Sequence, residues 1–255
     1  MPLTLVTVPC LKDNYAYLLR DPATGATAAI DVPDAAPMIA ALALRGWPLH
    51  QIFLTHHHGD HIDGVAALVA ATGARVIGAA ADAHRLPPLD VALTDGDAIS
   101  VGDETGRVID VPGHTIGHIA FHFPTSALAF TADSLMAMGC GRLFEGTPLQ
   151  MWETMQKLAA LPPETLICSG HEYTASNMAF ALALEPGNPD LILRNDRINA
   201  ARSQGLATVP SRLADELVTN PFLRAGTDLM KAALNTPGAT DAETFARLRA
   251  RKDSF

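Results

Sequence analysis

Apolar and polar positions give this chain two textures. Up to about residue 170, short apolar runs alternate with turn residues; beyond that point strand signals nearly vanish and helical stretches follow one another. Residues 3–8, 15–19 and 28–32 are close-set apolar runs, broken by Asp21-Pro22 and Gly25, and predict a hairpin or meander. Residues 36–45 are alanine-rich, with Ile39 the only β-branched residue, and end at Gly46, which predicts a helix. A strand over 51–55 runs into a histidine-rich loop. Asp63 is placed to cap a helix over 64–71 that stops at Gly73, and 75–78 reads as a short strand. Strand, polar loop, helix and strand make an α/β unit, and sites in such units sit at the carboxyl ends of strands.

Residues 82–97 read as loop. Residues 106–111 read as a strand stopped by Pro112-Gly113, and 119–123 and 127–131 as paired strands across Pro124-Thr125-Ser126. A helix over 150–160 and a strand over 165–168 complete this part. Helices are then expected over 175–184, 191–204, 212–218, 228–235 and 241–252. The expected organisation is a mixed α/β domain over residues 1–173 and a helical domain over 174–255.

Composition narrows the function classes. The 255 residues carry 27 acidic against 18 basic side chains, a formal charge of -9, which argues against a nucleic-acid partner. No apolar window is long enough to predict a membrane span, and residues 1–9 have no basic stretch leading into an apolar core. A cytoplasmic protein is therefore expected; a monomer is the separate expectation for its assembly, which these features do not decide. Cys10, Cys140 and Cys168 are odd in number and form no CxxC pair, so a disulfide scaffold is not expected and the thiols read as small buried groups.

The chemistry centres on Thr55-His56-His57-His58-Gly59-Asp60-His61. Packing imidazoles this densely gains a core little, whereas neutral imidazole and carboxylate are natural ligands of zinc and related divalent ions. His56 and His58 can point one way while His57 points elsewhere; Asp60 and His61 begin the turn into the helix and can face a second ion. Three further polar residues come directly after apolar runs: His114, Asp133 and His171. With them the expected metal set is His56, His58, Asp60, His61, His114, Asp133 and His171, which suits a dinuclear centre. His118 and Asp63 are candidates for supporting hydrogen bonds. His50, His84 and His122 lack this context. Ser134, Cys140 and Ser169 lack the linked His and Asp of a side-chain nucleophile.

The HxHxDH pattern resembles the metallo-β-lactamase superfamily. The motifs Gly113-His114-Thr115-Ile116-Gly117-His118, Phe130-Thr131-Ala132-Asp133, Gly139-Cys140-Gly141-Arg142 and Gly170-His171-Glu172-Tyr173-Thr174 are similar to its glyoxalase II branch. So are Asn220-Pro221-Phe222-Leu223-Arg224 and the final Arg249-Ala250-Arg251-Lys252-Asp253-Ser254-Phe255. The resemblance implies a four-layer αβ/βα metallo-β-lactamase sandwich with a C-terminal helical domain. It implies hydrolysis of an S-(2-hydroxyacyl)glutathione thioester, typically S-D-lactoylglutathione, to glutathione and D-lactate, the second step of methylglyoxal detoxification. His56, His58 and His114 fall to one ion; Asp60, His61 and His171 to the other, with Asp133 bridging. Zinc is the first choice, and iron or manganese also suit the donors. Asp60 and Asp133 take the catalytic roles around a water activated between the ions. Arg142, Phe144, Tyr173, Arg249 and Lys252 take the glutathione contacts.

Three positions depart from the family pattern. Ala132 stands where glycine is usual, so that either its methyl crowds the loop or the backbone there needs no positive φ. Arg142 replaces a lysine of some members and Phe144 a tyrosine, losing a hydroxyl. The alternative readings are another hydrolase of the superfamily, acting on a different acyl-thioester or a lactone, and a zinc-dependent binding protein without turnover.

Overall fold

The first apolar runs pair as a meander. β1 (Thr4–Cys10) lies antiparallel to β2 (Asn14–Arg20), and β2 antiparallel to β3 (Thr27–Ile30). The chain then crosses over through α1 (Ala35–Arg45). Asp34 caps its start by accepting from the Ala36 amide, and Gly46 ends it at φ 63°. The crossover makes β4 (Gln51–Phe53) parallel to β3. A four-residue helix, α2 (Gly59–Ile62), and α3 (Val65–Thr72) lead to β5 (Arg75–Ala79), parallel to β4. β6 (Val91–Leu93) extends the sheet in parallel. Leu18, Ala29, Met38, Ile52, Leu54 and Leu68 fill the core against α1 and α3. A second run of strands is antiparallel: β7 (Ala98–Val101), β8 (Glu104–Asp110), β9 (Ile119–Phe123) and β10 (Leu128–Ala132).

Downstream, β11 (Leu135–Met136) and β12 (Gly139–Cys140) form a small hairpin. α4 (Pro148–Ala159) opens with a reciprocal Thr147–Gln150 capping box and proline in its first turn. β13 (Leu166–Ser169) follows, then α5 (Thr174–Leu184) and α6 (Pro189–Ser203). β14 (Ser211–Arg212) pairs antiparallel with β13 and leads to α7 (Leu213–Thr219), α8 (Asp228–Ala233) and α9 (Asp241–Asp253). Met138, Met178, Ala181, Leu191 and Ile198 pack as one cluster, and Phe245 of α9 meets Trp152 of α4 and Phe222.

The computed structural model describes all 255 residues. It has two compact units. One is Met1–Val111 with Gly117–Thr131, and the other is Pro112–Ile116 with Ala132–Phe255. Three local expectations change. Asp63 does not cap α3: it closes α2, its amide bonded to the Gly59 carbonyl, and Gly64 precedes α3 instead. The stretch 82–97 is not all loop, because β6 lies within it. β7, β11, β12 and β14 are strands of two to four residues that pairing creates and propensity does not announce.

Candidate functional site

In the first unit the histidine loop leaves β4 and runs into α2. Asp31, just past the end of β3, organises it. The Asp31 carboxylate accepts from the Thr55 amide (2.9 Å) and the Thr55 hydroxyl (2.8 Å), and from His61 Nδ1 (2.9 Å). With its proton given to Asp31, the Thr55 Oγ1 accepts from His56 Nδ1 at 3.0 Å. One buried carboxylate therefore fixes the tautomers of two imidazoles and puts the lone pair of each on Nε2, the form in which imidazole binds metal. Asp31, His56 and His61 present atoms within 4.8 Å of one another. They are not a separate metal site, because the contact to Asp31 runs through a nitrogen that carries a proton. Asp31 itself has φ 55°, a conformation that aspartate tolerates better than most residues.

Two further supports hold the loop. Asn14 at the start of β2 donates to the Asp60 carbonyl (3.0 Å) and to Asp60 Oδ2 (3.1 Å). His57 turns away from its neighbours, and its Nδ1 lies 3.0 Å from Asp82 Oδ2. The other Asp82 oxygen takes Arg85 Nη2 at 2.5 Å. His118 stacks on His56 with ring centres 4.6 Å apart. Gly117 lets the backbone pass Asp82, since a Cβ there would stand 2.2 Å from the Asp82 carboxyl carbon.

In the second unit His114, Asp133 and His171 come together. Asp133 Oδ2 lies 3.4 Å from Nε2 of both His114 and His171. Two donors on one tetrahedral zinc, each about 2.0–2.1 Å from it, stand about 3.3 Å apart, so the spacing fits shared coordination. His114 Nδ1 donates to the Arg142 carbonyl at 2.8 Å, which again leaves Nε2 as the donor atom. Gly113, at φ 146°, sets the approach to His114. Ala132 does adopt positive φ, at 40°, so the conformation that glycine supplies is required here and alanine bears the strain. Its carbonyl accepts from the Gly170 amide at 3.1 Å, tying the Asp133 turn to the segment that carries His171.

The same unit gathers the expected substrate groups. Phe144, 62% exposed, meets the His114 ring edge-on at 5.2 Å; Tyr173, 40% exposed, stacks on His171 at 4.7 Å. Arg142 is exposed, with Nε 3.9 Å from Asp253 Oδ1, and that oxygen also takes Arg249 Nη2 at 2.9 Å. Arg249 is only 5% exposed and lies over the Phe222 ring. Lys252 donates to the Ser176 carbonyl and hydroxyl. Burial, then Arg249 and Arg142, depress the Lys252 pKa, with Asp253 opposing. Burial raises the Cys140 thiol to about 11 and the Cys10 thiol to about 11, and pushes Cys168 well up. No cysteine is therefore poised as a thiolate.

Sequence reading missed Asp31, Asp82 and Asn14. Asp31 had a usable signal, since it follows the apolar run 28–30 just as Asp133 follows 128–132. The imidazoles and carboxylates gathered in each unit are the donor chemistry that a dinuclear metal site uses. No helix is long and apolar enough to cross a membrane.

Comparison with known proteins agrees. The family model described as Metallo-beta-lactamase superfamily matches residues 13–171, and that described as Hydroxyacylglutathione hydrolase C-terminus matches 172–255. The chain is 66% identical to a hydroxyacylglutathione hydrolase of Cereibacter sphaeroides (strain ATCC 17025 / ATH 2.4.3), over the full length of both. Among solved structures, the BLEG-1 B3 metallo-beta-lactamase superposes with TM-score 0.67 at 22% identity, covering 86% of this chain and 99% of that one. TTHA1623 in a di-iron-bound form gives 0.55 at 32% identity, covering 66% and 91%. The fold is the expected αβ/βα metallo-β-lactamase sandwich with a C-terminal helical portion, and the chain belongs to the glyoxalase II (hydroxyacylglutathione hydrolase) family of the metallo-β-lactamase superfamily.

Proposed function

We propose that this protein hydrolyses the thioester of S-(2-hydroxyacyl)glutathione, with S-D-lactoylglutathione as the typical substrate, releasing glutathione and D-lactate in methylglyoxal detoxification. The supporting observation is a single cluster. Arg142, Arg249 and Lys252 gather around Asp253 in the same unit where Phe144 and Tyr173 lie against two metal-donor imidazoles. Glutathione brings two carboxylates, for which cationic side chains are the natural anchors. The relatives matched over the full chain carry the name of the same activity.

His56, His58 and His114 are assigned to one divalent ion, Asp60, His61 and His171 to the other, and Asp133 to both. When bound, such ions supply a Lewis acid for the thioester carbonyl and lower the pKa of water toward neutrality. The chain's own residues do the positioning. Asp31 and Thr55 aim His56 and His61; Asn14 holds the carboxylate of Asp60, which with Asp133 orients the attacking water. The cationic cluster holds the remote end of the substrate, and the thiolate leaves without a dedicated acid. Zinc is the proposed metal; the di-iron-bound TTHA1623 is consistent with iron as a second occupant of such donors. Residues 1–173 form the proposed catalytic portion and 174–255 the helical glutathione-binding portion of a cytoplasmic monomer.

The test is a steady-state assay on S-D-lactoylglutathione with metal content quantified, beside a thioester lacking glutathione. The expected result is turnover of the glutathione thioester that disappears on chelation and returns with zinc. Full activity in verified metal-free protein, or equal use of both thioesters, would overturn the reading.

A further inference from the structure

We infer that Arg249 is a positioning residue for the metal donor His114, acting through the backbone of residues 139–142. The inference rests on the reading of His114 as a metal donor. Arg249 is buried, and its Nη1 donates to the Cys140 carbonyl at 2.8 Å. Two residues on, the Arg142 carbonyl accepts from His114 Nδ1 at 2.8 Å. Between them Gly141 is wedged under the site. A Cβ on Gly141 would stand 1.9 Å from the Asp133 carbonyl oxygen and 2.9 Å from His114 Nδ1. The segment therefore has no slack: a shift at residue 140 reaches the imidazole.

The rest of the hairpin is held in the same way. Asn220 donates to the Met136 and Gly139 carbonyls, Asn177 to the Ala137 carbonyl, and Glu216 accepts from the Met138 amide. All these grips come from the helical part of the chain, and Arg249 is the one nearest His114 in sequence along the strap. Asp253, one turn further along α9, fixes the guanidinium from its other side at 2.9 Å, and Phe222 lies beneath it. A guanidinium committed to a carbonyl, a carboxylate and a ring holds protein in place, beside its proposed part in the glutathione-binding cluster. The consequence is specific. His114 is assigned to one ion and the strap meets Asp133 only at its carbonyl, so loosening Arg249 weakens the ion that holds His114 more than the other.

The experiment titrates zinc into metal-free protein against a chromophoric chelator, comparing wild type with Arg249→Met, Arg249→Lys, Asp253→Asn and Arg247→Met, the last an exposed arginine on the same helix. Wild type is expected to bind two ions. Arg249→Met should weaken one ion about tenfold or more and the other less, with kcat falling. Arg249→Lys and Asp253→Asn should show smaller losses in the same ion, and Arg247→Met none. Should Arg249→Met not fold, those two milder variants decide the matter. Unchanged affinities for both ions in the folded Arg249 and Asp253 variants, with only KM raised, would overturn the inference and leave the metal centre standing. A wild type that binds no pair of ions would overturn the metal centre itself, and this inference with it.

Discussion

The two units support their proposed metal donors by different means. In the first, imidazoles are backed by carboxylates: Asp31 holds His61 directly and His56 through Thr55, and Asp82 holds His57. In the second, His114 leans on a neutral backbone carbonyl and His171 on the face of Tyr173. A carboxylate behind an imidazole raises its basicity as a ligand as well as fixing its direction. A carbonyl fixes direction alone, and is only as well placed as the chain around it. The histidine loop can thus be tuned by single side chains, whereas the second set depends on the helices that hold residues 135–142.

The strongest challenge to this contrast is Asp133→Asn. It removes the charge that lies 3.4 Å from two donor nitrogens, and kcat/KM on lactoylglutathione should fall on the order of a thousandfold, about 4 kcal/mol of transition-state stabilisation. A loss of less than about tenfold would show that the second unit's carboxylate is dispensable. Next comes Asp31→Ala. Because Asp31 serves imidazoles assigned to different ions, both zinc affinities should weaken, by about 10–100-fold each, in a chelator competition. Weakening of one alone would break the picture of a single shared support.

The cationic cluster gives a pH signature. The Lys252 pKa is lowered, chiefly by burial. Below that pKa the ammonium is charged and, in its proposed role, attracts the substrate carboxylates; as pH rises through it the charge is lost. KM should therefore climb on the alkaline side at a lower pH than an ordinary lysine would give. Lys252→Arg should flatten that rise, and Lys252→Ala should raise KM about tenfold at neutral pH with kcat little changed. The smallest expected effect is Ala132→Gly. Relief of a positive φ at a non-glycine residue should add about 1 kcal/mol, which for a chain of this size raises Tm by about 2–4 °C. A lower Tm would mean that the alanine methyl packs better than its backbone strains.

The donors were legible because their chemistry is concentrated. Four histidines and an aspartate within six residues have few structural uses, and His114, Asp133 and His171 each follow an apolar run. Their supports were not legible, because one aspartate in a turn looks like any other until its partners are known. Asp31 and Ala132 share a further feature, which the sequence raised as a question only at Ala132: each turns the chain at the end of a strand with φ between 40° and 55°. Helices α1, α4 and α9 could be read from composition, caps and stop signals, while β7, β11, β12 and β14 owe their existence to partners distant in sequence. The buried Arg194 with Glu216 and Thr219 was equally invisible, being an internal polar network on helices whose pattern gave only their outlines.

The hairpin of β11 and β12 is gripped by its peptide groups as well as by buried side chains such as Met138. The exposed side chains just beyond it, Arg142 and Phe144, point outward from a backbone already fixed. Replacing the exposed Arg142 can therefore re-tailor the proposed glutathione cradle while that backbone, with the carbonyl that takes His114, stays as it was.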